Sequence, residues 1–142
     1  MMLDDLGLIP TIRRYVTAFE EKSGLETTLT LTGEERRMES HIEVVAFRGL
    51  QELLANARDH AQATRIRVTV DVESDMCRIV VQDNGRGFDS NAMADQRART
   101  IGLPTLRERV ELLGGTFEIE SASGQGTNVT IEIPIGAVVP QG

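Results

Sequence analysis

Asp83-Asn84-Gly85-Arg86-Gly87-Phe88 follows directly on the apolar run Cys77-Arg78-Ile79-Val80-Val81-Gln82. An acid at the end of a strand-like segment, followed by two glycines one residue apart, is an unusual surface turn. Glycines permit backbone conformations that other residues avoid and let a ligand approach the main chain. The carboxylate of Asp83 is a fixed acceptor where the chain leaves the core, suited to a flat ring with an exocyclic amine, such as adenine. A plainer reading stays open on these six residues alone: a tight turn closed by an Asx bond.

Upstream, Gln51-Glu52-Leu53-Leu54-Ala55-Asn56-Ala57-Arg58-Asp59-His60-Ala61 lies inside a long helical pattern. Glu52, Asn56 and His60 recur every four residues and so share one helix face, opposite Leu50, Leu53 and Leu54. For an arbitrary helix this would be a solvated polar face. The residue types say more: the amide oxygen of Asn56 is a neutral hard ligand of the kind Mg²⁺ accepts beside water and phosphates. Glu52 has the chemistry to hold a metal-bound water or to act as a general base. Downstream come Gly102-Leu103-Pro104-Thr105-Leu106-Arg107-Glu108-Arg109 and Ser123-Gly124-Gln125-Gly126-Thr127. Gly102 precedes a helix whose free N–H groups and dipole favour anions, and Pro104 fits its first turn.

These four segments, in this order over roughly residues 41 to 134, resemble the ATP-binding catalytic domain of a bacterial sensor histidine kinase. That family belongs to the superfamily shared with gyrase, the Hsp90 chaperones and MutL. The helix with Glu52, Asn56 and His60 is similar to its N box, and Asp83 to Phe88 to its first glycine box. Gly102-Leu103 matches the second and Gly124-Gln125-Gly126-Thr127 the third. The resemblance implies ATP and Mg²⁺ as cofactors, with Asn56 as metal ligand and Glu52 as the catalytic residue. Nucleotide would be bound by Asn56, His60, Asp83, Gly85, Gly87, Gly102, Leu103 and Thr127, the last helping Asp83 hold the adenine edge. Two departures stand out. Asp59 occupies the place of the family's lysine or arginine before the closing histidine, where a carboxylate would repel triphosphate; Arg58, Arg97 or Arg99 could compensate, or simply be solvated. Thr105 and Leu106 stand where close relatives often have glycine and methionine.

The rest of the chain supplies the frame. Apolar positions at Leu6, Ile9, Ile12, Val16 and Phe19 predict a helix within residues 3 to 20, with Pro10 near its start. Leu25–Thr32 alternates as a strand, and Glu39–Ala61 is the longest helix. Arg65–Val72 and Met76–Asp83 are strands joined by a hairpin at Glu73-Ser74-Asp75. Residues 89–100 are polar, with few apolar anchors, and are expected to act as a lid over nucleotide. Leu103–Leu113 is a short helix stopped by Gly114-Gly115, and Thr116–Ser121 and Asn128–Ile135 are a final strand pair. Segregated helices and hairpins predict an α+β two-layer sandwich. The resemblance implies the same ATP-binding fold, a mixed, mainly antiparallel sheet with helices on one face. On that reading residues 1–22 are a linker helix following the dimerisation domain, 23–136 the ATP-binding domain and 137–142 a flexible tail.

Composition bounds the function classes. The chain has 142 residues, one domain's worth, and its 15 basic against 22 acidic residues give a net charge of −7. That balance argues against general affinity for nucleic acid or anionic membrane. No apolar stretch approaches a membrane span and no signal-peptide pattern is visible at the start. The single cysteine, Cys77, excludes an internal disulfide and reads as a small buried strand residue. A reducing cytoplasm is the natural compartment, and a parent kinase could still be membrane-anchored.

The leading expectation is a donor of the γ-phosphoryl group of Mg-ATP to a histidine on a dimerisation and phosphoacceptor domain, with a response regulator as indirect partner and the isolated domain a monomer. Leu3-Asp4-Asp5-Leu6-Gly7-Leu8 resembles the segment after the acceptor helices in kinases paired with LuxR-type regulators. Neither His41 nor His60 carries an acidic acceptor signature. The alternatives are an anti-sigma-factor serine kinase of the same fold and a degenerate nucleotide-sensing module.

Overall fold

The computed structural model describes residues 2–59, 63–85, 103–121, 124 and 126–136. Helices α1 (Met2–Leu6) and α2 (Leu8–Ser23) precede strand β1 (Glu26–Gly33) and helix α3 (Ser40–Asp59). Strands β2 (Arg65–Val72) and β3 (Met76–Asp83), helix α4 (Leu103–Leu112), and strands β4 (Thr116–Ser121) and β5 (Thr127–Pro134) follow. The sheet order is β1-β2-β3-β5-β4. The β1–β2 ladder is parallel; β2–β3, β3–β5 and β4–β5 are antiparallel.

Register carries the alternating sequence into a two-sided sheet. Val68 pairs with Val81 and Val81 with Val129, while Val70 pairs with Ile79 and Ile79 with Ile131. Because paired residues share a face, these apolar rows merge into one buried surface. Thr69, Val80 and Thr130 form a row of the opposite face. Helix α2 contacts β1, α3 contacts β3 and β5, and α4 contacts β4 and β5, all over the apolar face. The expected mixed sheet with helices on one side is therefore the observed architecture. Leu50, Leu54, Ile66, Ile79 and Ile131 are fully buried between the layers. Cys77 is buried too, and desolvation pushes its thiol up to about 12.

The N-terminal helix differs from the expected single pattern. It breaks at Gly7, whose φ of 85° a side chain would resist. Pro10 then lies inside the first turn of α2, where its missing N–H costs no helical bond. The break is held by Glu43, a buried acid in the first turn of α3. Its Oε2 accepts from the backbone N–H groups of Leu8 and Met38, both at 3.3 Å, and from Arg37 Nε at 3.2 Å; Oε1 accepts from Arg37 Nη2 at 3.2 Å. One carboxylate thus caps α2 from across the molecule and ties it to the start of α3. The open edge of β1 is partly blocked by Glu20 of α2, whose carboxylate accepts from Thr27 N–H at 2.8 Å. Among the described residues, no helix is long and apolar enough to cross a membrane.

Candidate functional site

Strand β3 ends at Asp83, beside Ile66 of β2 and opposite Thr127 of β5. Two residues after the buried Val81, it lies on the helix-covered face of the sheet. Its Oδ1 accepts from Gly85 N–H at 2.8 Å, so the Asx bond of the plainer reading is present. A carboxylate offers about four acceptor positions, so this bond leaves capacity for a ligand. Burial pushes the Asp83 carboxyl above its ordinary range, against the opposing pull of the backbone N–H groups of Gly85 and Thr127.

Thr127 is held in turn. Its hydroxyl lies 3.0 Å from Ser121 Oγ, which donates to the carbonyl of Gly126 at 3.0 Å. Gly126 has φ 79°, and a Cβ there would collide with the carbonyl oxygen of Asp83. Only glycine lets the β4–β5 connection close this tightly on the end of β3. Gln82, Asp83, Ser121, Thr127 and Asn128 line a recess of about 440 Å³ at this end of the sheet.

Sequence reading missed two members of this cluster. Asn84 clasps β3 to the start of β2: its Oδ1 accepts from the N–H groups of Thr64 and Arg65, both at 2.9 Å, and its Nδ2 donates to Thr64 Oγ1. Ser121 could have been found by counting the β4–β5 hairpin register, which sets it opposite Thr127. Nothing in the sequence signals the Asn84 contact, because its partners lie about twenty residues away.

Helix α3 brings the second group of expected residues. Glu52 is exposed, whereas Asn56 one turn later is half-buried, and its Nδ2 is buried without a hydrogen-bond partner among the described residues. The two share a helix side without sharing an environment. An orphaned amide of this kind fits a site that a ligand's acceptor completes. Among the described residues no cluster of three His, Cys, Asp or Glu side chains could hold a metal ion. A magnesium ion here would draw most ligands from phosphate and water, which suits one amide oxygen. Arg58 grips the neighbouring Asp59 at 2.7 and 3.0 Å and lies over the Phe19 ring. That pairing offsets the charge that sets Asp59 apart from the resembled pattern. Leu103 opens α4, and Thr105 lines a cleft of about 580 Å³ with Glu52. His60, Gly87, Gly102, Arg97, Arg99, the expected lid at 89–100 and residues 137–142 lie outside the described residues.

Comparison with known proteins adds the lineage. Residues 42–137 match the family described as Histidine kinase-, DNA gyrase B-, and HSP90-like ATPase. The chain is 38% identical over 135 residues to the signal transduction histidine-protein kinase/phosphatase DegS of Brevibacillus brevis, covering 95% of this chain and 34% of that protein. It is 38% identical over 138 residues to DegS of Bacillus subtilis, covering 95% and 36% respectively. The chain therefore spans about a third of the length of these curated relatives. Among solved structures, the histidine kinase domain of the Erythrobacter litoralis EL346 blue-light activated histidine kinase superposes with TM-score 0.68 at 22% identity, covering 87% of this chain and 59% of that one. Full-length ShkA in complex with AMPPNP gives TM-score 0.70 at 17% identity, covering 94% and 30%. At such identities the structural likeness is one of fold. The chain belongs to the family of histidine kinase-, DNA gyrase B- and HSP90-like ATPases and is an ATP-binding domain of the sensor histidine kinase kind.

Proposed function

We propose that this chain is the phosphoryl-donating half of a two-component sensor kinase, binding Mg-ATP and passing its γ-phosphoryl group to a histidine on a dimerisation domain. The observation that supports this reading most is Asp83 at the end of β3, in register with Thr127 of β5 in a sheet that α3 packs against, with Asn56 Nδ2 of α3 buried and unpartnered among the described residues. Asp83 accepts from the adenine amine, Gly85 keeps backbone close to the ring, and the Thr127 hydroxyl supports the same edge. His60, Gly87, Gly102 and Leu103 complete the nucleotide contacts, and residues 1–22 link the domain to the acceptor domain. Bound magnesium would neutralise charge on the phosphates. Asn56 would offer its amide oxygen to that ion, and Glu52 takes the proton released as the acceptor is phosphorylated. The work of the domain is positioning, since phosphoryl transfer asks little covalent chemistry of the protein. A LuxR-type response regulator receives the phosphoryl group afterwards, and the reactions take place in the cytoplasm.

Calorimetric titration tests the metal assignment. Asn56→Ala removes the proposed oxygen while keeping a good helix former. ATP binding in EDTA should then change little, and the additional affinity conferred by Mg²⁺ should shrink. A full magnesium effect in the variant would remove Asn56 from the metal site. The acceptor assignment is tested by label from ATP, expected on histidine of the supplied dimerisation domain; label on serine of a small antagonist protein would replace this reading with the anti-sigma kinase.

A further inference from the structure

The cleft that contains Glu52 lies between α2, α3 and α4 and has features that nucleotide binding does not require. Tyr15 lines it from α2, Val45, Arg48 and Glu52 from α3, and Leu106 and Arg109 from α4. Arg48 and Glu52 are one turn apart on α3, and Asn56 is one turn further. The cleft thus runs alongside the helix that carries the proposed metal ligand. Tyr15 is braced edge-on against Phe47, with ring centroids 5.4 Å apart, so this wall is preformed.

Its charge is the telling property. Arg13, Arg58, Arg65 and Arg78 each meet a carboxylate. Arg48 and Arg109 are exposed and make no hydrogen bond or ion pair among the described residues. Two guanidinium groups without an ion-pair partner among the described residues therefore line one cleft, beside the carboxylate of Glu52, in a chain of net charge −7. Guanidinium groups grip carboxylates bidentately, and arginine and tyrosine are enriched among residues that dominate protein interfaces. A triphosphate would satisfy the arginines but has no use for an apolar floor of Val45 and Leu106. An amphipathic helix uses both.

We infer that this cleft is the docking surface for an acidic amphipathic segment of the polypeptide that carries the phosphoacceptor. Its carboxylates meet Arg48 and Arg109 and its apolar side chains cover Val45 and Leu106. Docking there brings the acceptor to Glu52. The relatives have the chain length to supply such a segment, since this chain spans about a third of them. The inference rests on the kinase reading, but it makes a separate claim about which residues hold the acceptor.

Charge reversal tests it. Arg48→Glu and Arg109→Glu keep good helix formers at exposed positions, so the fold should persist. ATP affinity of the chain, measured by calorimetry, should stay within about twofold, because neither arginine is assigned to nucleotide. Binding of the separately produced dimerisation and phosphoacceptor domain of the parent kinase to the nucleotide-loaded chain should weaken by at least about tenfold. The same binding by the unsubstituted chain should weaken with added salt, and less so in the variants. In steady-state transfer, KM for the acceptor domain should rise while kcat is largely kept. Unchanged acceptor binding would overturn the inference, as would a loss of ATP affinity in both variants, which would assign the arginines to phosphate. Binding that weakens as expected, with no phosphotransfer by any form, would uphold the docking surface and overturn the kinase reading alone.

Discussion

At Asp83 the proposed ligand contact and the fold pull with opposite signs. Its carboxyl is half-buried at a strand end, and desolvation raises its pKa above the ordinary value. A carboxyl raised in the folded state favours folding only while protonated. That contribution is complete below the unfolded-state pKa and is lost as pH rises through the folded-state pKa. At neutral pH the ionised Asp83 is therefore a cost to the empty domain. Asp83→Asn keeps an oxygen that can accept from Gly85 N–H while removing the buried charge. Urea unfolding of the nucleotide-free chain at a series of pH values should show the variant gaining on the unsubstituted chain just above the ordinary carboxylate range and levelling off toward neutrality. ATP affinity should move the other way. Placing an amide donor against the purine amine loses a charge-assisted hydrogen bond of about 1.5–3 kcal/mol, so binding should weaken about tenfold or more. Unchanged affinity would remove Asp83 from the site, and a variant less stable at neutral pH would refute the desolvation account.

Among the elements, the joint between α2 and α3 carries a comparable test. Glu43 satisfies two backbone donors, Leu8 N–H and Met38 N–H, as well as half-exposed Arg37. Glu43→Ala leaves both donors without their acceptor, at about 1–3 kcal/mol for each that stays buried, so unfolding free energy should fall by about 2–4 kcal/mol. Glu43→Gln retains an acceptor oxygen and should lose about half of that or less. Denaturant unfolding measures both, and hydrogen exchange at the Leu8 amide should quicken in the alanine variant first. Equal losses would show that charge rather than hydrogen bonding holds the joint. This element relation was not legible in the sequence: an acid in the first turn of a helix suits the dipole at any surface, and its partner Leu8 is 35 residues away. The strands Arg65–Val72, Met76–Asp83 and Thr116–Ser121 were legible to the residue, because a sheet with one buried face writes its alternation into the sequence. The parallel β1–β2 pairing was not, since periodicity fixes faces and says nothing about neighbours. The site was legible only in part. Asp83 and the glycines announce a special turn, but their tie to Thr127 depends on the β3–β5 ladder, which joins strands separated by α4.

For the molecule as a whole, the placement of its histidines decides what the domain can do alone. In-line transfer needs an acceptor nitrogen within bonding reach of the γ-phosphate, beside metal and positive charge. His41 stands exposed in the first turn of α3, with Nε2 3.5 Å from a Glu39 carboxylate. Asn56 lies fifteen residues further along the same helix, a rise of about 22 Å at 1.5 Å per residue. A rigid helix cannot fold that distance away, so His41 cannot reach phosphates held near Asn56. His60 lies outside the described residues, and the Ala61-Gln62 that follows it in the sequence is no acidic acceptor signature. The chain should therefore bind ATP and leave itself unlabelled when incubated with γ-labelled nucleotide and Mg²⁺. Adding the dimerisation domain should produce acid-labile, base-stable label on that partner, the signature of phosphohistidine. Acid-labile label on the chain alone would show that the acceptor is internal, and replacing His41 and His60 by glutamine one at a time would then identify it.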